Sequence, residues 1–117
     1  MDIVSYLMGK AAGGGGGSGE PTKIFEFYTD DGGVWIDTEA SVSGYAGFCF
    51  TQIIGGATVA GVYLPLGMIQ TGESYTTVWV ADYKLNARVN GGTLWVSFDR
   101  LGSASVGTMI YALDNAL

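Results

Sequence analysis

The chain has 117 residues, 20 of them glycine, with two prolines, one cysteine and no histidine; that length holds one domain with a modest core. With 48% hydrophobic and only 14% charged residues it describes a folded chain rather than a disordered one. Eleven acids against five bases leave a net charge of −6 and no basic patch for nucleic acid or an anionic membrane, and the missing histidine removes the commonest general base and metal ligand, so neither an enzyme nor a cofactor is expected.

In chain order, the sequence divides into an N-terminal anchor peptide (1–8), a glycine-rich linker (9–20) and a body (21–117). In the anchor, Asp2 suits a helix N-cap and Gly9 a C-terminal stop. Two turns of helix are too short to stand alone in water. Ile3, Val4, Tyr6, Leu7 and Met8 would project apolar groups in most directions, so the segment needs a surface to bury it, and these five are its candidate docking residues. No basic stretch precedes it and no adequate apolar core follows, which argues against a secretory signal. The run Gly13 to Gly17, Ser18 and Gly19 has linker composition. Gly9-Lys10 is followed by Ala11 with no preceding strand, so a phosphate loop is not expected.

The body reads as strands. Lys23 to Tyr28 puts Phe25 and Phe27 on one face and Ile24, Glu26 and Tyr28 on the other. Asp30-Asp31-Gly32-Gly33 signals a turn, and Val34-Trp35-Ile36 resumes an apolar run. Tyr45 to Ile54 and Ala57 to Leu64 are apolar runs separated by Gly55-Gly56. Leu66 to Gln70 is expected to be a further strand with Pro65 marking its edge or a bend, and Thr71 to Ser74 a turn. Asn90-Gly91 predicts a two-residue hairpin turn that pairs Val89 with Gly92, Ala87 with Leu94, Leu85 with Val96 and Tyr83 with Phe98 on one apolar face. The same parity runs back through Ala81, Trp79, Thr77 and Tyr75, predicting one long bent strand. Val106 to Leu113 closes the series. About seven to nine short strands without a helix predict an all-β fold, a compact β-sandwich or jelly-roll-like barrel.

Asp30, Asp31, Asp37 and Glu39 are the acids that would carry carboxylate chemistry. Glycoside hydrolysis and a loop calcium are the alternatives they open, but Asp-Asp-Gly-Gly is turn chemistry and the stretch does not match an EF-hand. Solvated turn carboxylates are the expectation, with no metal and no catalytic residue. Cys49, between Phe48 and Phe50, reads as a small buried hydrophobe. Trp95 leaves the polar face of the predicted hairpin next to Asn86 and near Arg88. Those three form a candidate exposed binding surface suited to carbohydrate stacking or a protein interface, unless another strand covers the tryptophan.

Ser5-Tyr6-Leu7-Met8-Gly9-Lys10-Ala11-Ala12, followed by Gly13 to Gly17, resembles the opening of many structural proteins of tailed bacteriophages and prophages, especially those of Gram-positive hosts. In those proteins it precedes diverse, often β-rich bodies. The resemblance covers about residues 1–17 and implies a virion component, made in the host bacterial cytoplasm. The body is too small for a long fibre, which favours a capsid decoration or head-fibre protein at the capsid surface. Its expected partners are other virion proteins and further copies of itself, a trimer being one arrangement, with no nucleic acid and no membrane. The alternative is a tail or baseplate-associated carbohydrate-binding module.

Overall fold

Among the described residues eight strands form, most of them where the apolar runs lie: β1 (Thr22–Tyr28), β2 (Ile36–Ser41), β3 (Gly47–Ile54), β4 (Ala57–Pro65), β5 (Thr76–Val80), β6 (Tyr83–Asn90), β7 (Thr93–Phe98) and β8 (Val106–Leu113). They are seen in a computed structural model that describes residues 21–28, 33–81, 83–98 and 106–114. The anchor residues Ile3, Val4, Tyr6, Leu7 and Met8, the linker, and Asp30-Asp31 with their calcium and hydrolytic alternatives lie outside the described residues. The strands make two antiparallel four-stranded sheets, ordered β1-β8-β3-β4 and β2-β7-β6-β5. The fold is an all-β sandwich.

Its winding is jelly-roll-like at the outside only. First and last strands pair in one sheet, second and seventh in the other, so the two ends of the body wrap together. The inner four strands close instead as two local hairpins, β3–β4 and β5–β6.

The core lies between the sheets. Phe48, Phe50, Leu64, Ile110 and Ala112 from the first meet Val80, Leu85, Ala87, Leu94, Val96 and Phe98 from the second. Phe27 stacks on Phe98 at 5.4 Å and Phe25 stacks on Phe27 at 5.9 Å, extending the core to the β1 edge. Each such large side chain contributes about 1.5–3 kcal/mol by leaving water, and this apolar layer holds the sheets face to face. A polar bond also crosses it, from the Tyr83 hydroxyl to the Thr51 carbonyl at 3.1 Å.

The centre of the first sheet, along β3, is buried on its outer side as well. Cys49 and Leu113 are fully covered there, packed with Tyr63 and Tyr111. Thr51, 0% exposed, donates from Oγ1 to the Met109 carbonyl at 2.8 Å. Gly47 and Gly107 leave the room in which the Tyr63 and Tyr28 rings lie against the sheet.

Four local expectations are corrected. The hairpin turn is Gly91-Gly92, not Asn90-Gly91: Asn90 pairs with Thr93, Val89 with Leu94 and Ala87 with Val96. Both turn residues have positive φ, 64° and 82°, which glycine adopts without a Cβ clash and asparagine does less readily. The strand expected to run unbroken from Tyr75 reverses at Ala81 (φ 56°), pairing Val80 with Tyr83. Val78 and Val80 therefore face the core, while Thr77 and Trp79 face outward. Leu66–Met68 is a 3-10 turn rather than a strand, because here the chain leaves the first sheet for the second. Ile24 is the extra residue of a bulge between Lys23 and Phe25, and it joins Phe25 against the core instead of facing out with Glu26.

The two glycine classes separate by substitution. Gly91→Ala, strained only by its φ, is expected to cost about 1 kcal/mol. At Gly47 an added methyl would stand 2.6 Å from the Leu64 carbonyl oxygen, and Gly47→Ala is expected to cost about 3 kcal/mol. Equilibrium urea unfolding of the two variants checks that order.

Candidate functional site

The outer face of the second sheet gathers the residues that the sequence singles out. Strand register sets Arg88 directly opposite Trp95, Asn86 opposite both Ser97 and Thr77, and Lys84 opposite Trp79. Trp95, Asn86 and Arg88 thus share one face, as alternation along β6 and β7 predicts. Trp95 is half-buried rather than projecting freely, and its indole N–H donates to the Asn90 carbonyl of its own hairpin at 3.2 Å. The Thr77 hydroxyl donates to Asn86 Oδ1 at 2.7 Å, so the asparagine is oriented by the neighbouring strand. Trp79 is the freely exposed tryptophan of this face, with 63% of its surface accessible.

Two aromatic residues reach over the face from its opposite edges. Trp35 immediately precedes β2 and Tyr75 immediately precedes β5, the two edge strands of the sheet. Their rings meet edge to face at 5.5 Å. Arg88 sits among them, its Cζ 4.3 Å from the Trp35 ring centre and 5.8 Å from that of Trp95. Both distances suit cation–π attraction, worth about 0.5–2 kcal/mol depending on desolvation. The Arg88 side chain is only 13% exposed. Its Nε is buried with no hydrogen-bond partner among the described residues. Glu73 on the Thr71–Ser74 turn places Oε2 3.9 Å from Nη1, an ion pair too long for a hydrogen bond, and the glutamate is 97% exposed. Sequence reasoning passes over Trp35, Tyr75 and Glu73 because no spacing rule links the two edges of a sheet.

A second feature is the irregular stretch of β2. Register jumps from Asp37 opposite Trp95 to Ser41 opposite Thr93, and Glu39 within the jump has φ 62°. Asp37 Oδ1 accepts the Glu39 amide at 2.8 Å and the Thr93 hydroxyl at 2.9 Å, while Thr38 Oγ1 donates to the Leu94 carbonyl at 2.7 Å. Asp37 therefore shapes the bulge. Beside it an open cleft of about 420 Å³ is lined by Ile24, Thr38, Glu39, Ala40, Ser41, Ser43 and Tyr45. Among the described residues no three acid, cysteine or histidine side chains come together as metal ligands.

Cys49 is fully buried, and that burial pushes its thiol from the ordinary 9.0 up to about 12. The nucleophilic thiolate is correspondingly suppressed at neutral pH. Compared with known protein families, with curated proteins and with solved structures, the chain matches none.

The thiol gives a pH prediction. Folded, it keeps its proton to about pH 12; unfolded, it releases it near 9. Its contribution to stability is thus complete below pH 9 and is lost as pH rises toward 12, at up to about 1.4 kcal/mol per pH unit. Urea unfolding of wild type and Cys49→Ala between pH 8 and pH 11 is expected to show the wild-type stability falling more steeply than that of the variant.

Proposed function

We propose that this chain is a structural protein of a bacteriophage virion, a capsid decoration or head-fibre protein held to the particle by its N-terminal peptide with the β-sandwich displayed outward. The Ser5–Gly17 segment and its resemblance to virion-protein openings carry this reading. Tyr6 and Leu7, with Ile3, Val4 and Met8, would fill a groove on a larger assembly as apolar anchors. The glycines after them let the backbone pass close to that surface.

The geometry of the body suits attachment at one end. Thr22, the first strand residue, pairs with Ala112 at the end of the first sheet where Gly47 also meets Leu113 and Pro65. The Gly55-Gly56 turn lies at the other end of β3 and would point away from the particle. A net charge of −6 keeps displayed bodies soluble. Weak docking of single anchors becomes tight when copies associate, which favours a homo-oligomer, a trimer among the options.

One observation favours a second reading, a host-binding carbohydrate module of the tail or baseplate. Exposed Trp79 and Tyr75 flank Asn86, Thr77 and Arg88 on one sheet face, the mixture of flat rings and polar groups that sugars use.

Deletion of residues 1–12 tests the first reading. The shortened protein is expected to fold and to be missing from particles assembled in its presence, and full occupancy without the segment would remove the anchor role. Quantitative mass spectrometry of intact particles should find copies in proportion to capsid subunits; a mere handful would move the protein to the neck or tail.

A further inference from the structure

We propose that the outer face of the second sheet binds the carboxylate of an acidic sugar, with the Arg88 guanidinium as its anchor. This deepens the saccharide-binding reading of that face and does not depend on where the protein sits on a particle. It begins from an under-paired cation. A guanidinium removed from water is ordinarily met by a carboxylate or by carbonyl oxygens, because a desolvated charge is costly otherwise. Arg88 is largely desolvated by Trp35 and Trp95, its Nε has no acceptor among the described residues, and its ion pair with Glu73 is stretched to 3.9 Å.

The surroundings select the ligand. Indole rings lie against the guanidinium and its Nε is buried, so an anion must approach the Nη edge that Glu73 faces, where a planar carboxylate can accept two parallel N–H bonds. A phosphate brings more negative charge to a chain already at −6 and finds one arginine to meet it. Glu73 marks the approach. It is a carboxylate from the chain itself, aimed at Nη1 but almost wholly in water, and therefore easily displaced. The ring that carries the ligand's carboxylate has surfaces to lie on. Tyr75 and Trp79 are both more than half exposed, and Asn86 and Thr77 stand between the Trp79 row and the Arg88 row with polar groups for hydroxyls.

Glu73 thus acts as an internal competitor, and its removal should strengthen binding. The chain has two arginines, Arg88 and Arg100, so the Arg88 Nε–Hε signal can be followed by proton–nitrogen NMR and assigned with Arg88→Lys. Glucuronate is expected to shift that signal saturably and at least tenfold more tightly than acetate or inorganic phosphate, with glucose leaving it in place. Glu73→Gln should tighten glucuronate binding several-fold, whereas Glu26→Gln, an equal change of charge on the other sheet, should not. Arg88→Lys and Trp79→Ala should each weaken it tenfold or more. Equal binding of glucose and glucuronate would leave the saccharide reading standing and overturn the acidic anchor. Equal binding of acetate or phosphate would reduce the site to a general anion contact and overturn the sugar. No shift with any sugar would end both readings of this face. Glu73→Gln that binds no tighter than wild type would overturn the competitor role even if Arg88→Lys fails to fold.

Discussion

The arrangement of the whole molecule depends on β3 being buried on both faces from Gly47 to Ile53. One face of that strand carries Phe48 and Phe50 into the layer between the sheets; the other carries Cys49 and Thr51 against the outside of its own sheet. A strand so placed must have partners on both edges, and β4 and β8 supply them over its full length. The partner β8 then brings β1 with it, which fixes where the chain enters the body. The Thr51 carbonyl ties the same strand to the rest, accepting the Thr108 hydroxyl at 2.6 Å and the Tyr83 hydroxyl from the opposite sheet.

With its inner face committed to this core, the second sheet has only its outer face to offer. There alternation brings Trp95, Arg88, Asn86, Lys84, Thr77 and Trp79 outward in register. The two sheets therefore differ in kind. One covers the outer side of its central strand β3 with tyrosine side chains and keeps its charged Lys23–Glu26 pair at the β1 edge, while the other presents tryptophan, arginine and amide groups over a closed apolar layer. The Trp35–Tyr75 contact spans the presented face and limits how Arg88 can be approached.

Much of this was legible in the sequence, and the failures have identifiable causes. The bounds of β3 and β8 follow from apolar runs, because a central strand buried on both faces needs no alternation to be seen, whereas the edge strands β1 and β4 show through alternating aromatics and the Gly55-Gly56 turn. Asn90-Gly91-Gly92 contains two overlapping two-residue turns. Moving from one to the other shifts every partner by two positions and leaves each side chain on its own face, so the hydrophobic pattern is blind to the choice. At Ala81 the pattern misled outright. Tyr75, Thr77 and Trp79 continue the alternation of Tyr83 and Leu85, yet a tight reversal changes the inward parity and gives the core Val78 and Val80 instead. For the candidate site, β6 and β7 periodicity places Trp95, Asn86 and Arg88 together, while Trp35, Tyr75 and Glu73 arrive through loops from distant parts of the chain.

The unequal sheets have a spectroscopic consequence. All three tryptophans, Trp35, Trp79 and Trp95, belong to the second sheet or its immediate approach, and the first sheet carries Tyr28, Tyr63 and Tyr111 with the single cysteine. Light absorbed selectively by indole thus reports on one half of the sandwich, and access of a reagent to Cys49 reports on the other. The natural sequence is in effect labelled on each side with a different probe. Loss of order in one sheet ahead of the other would appear as two separated transitions, without any dye or engineered residue.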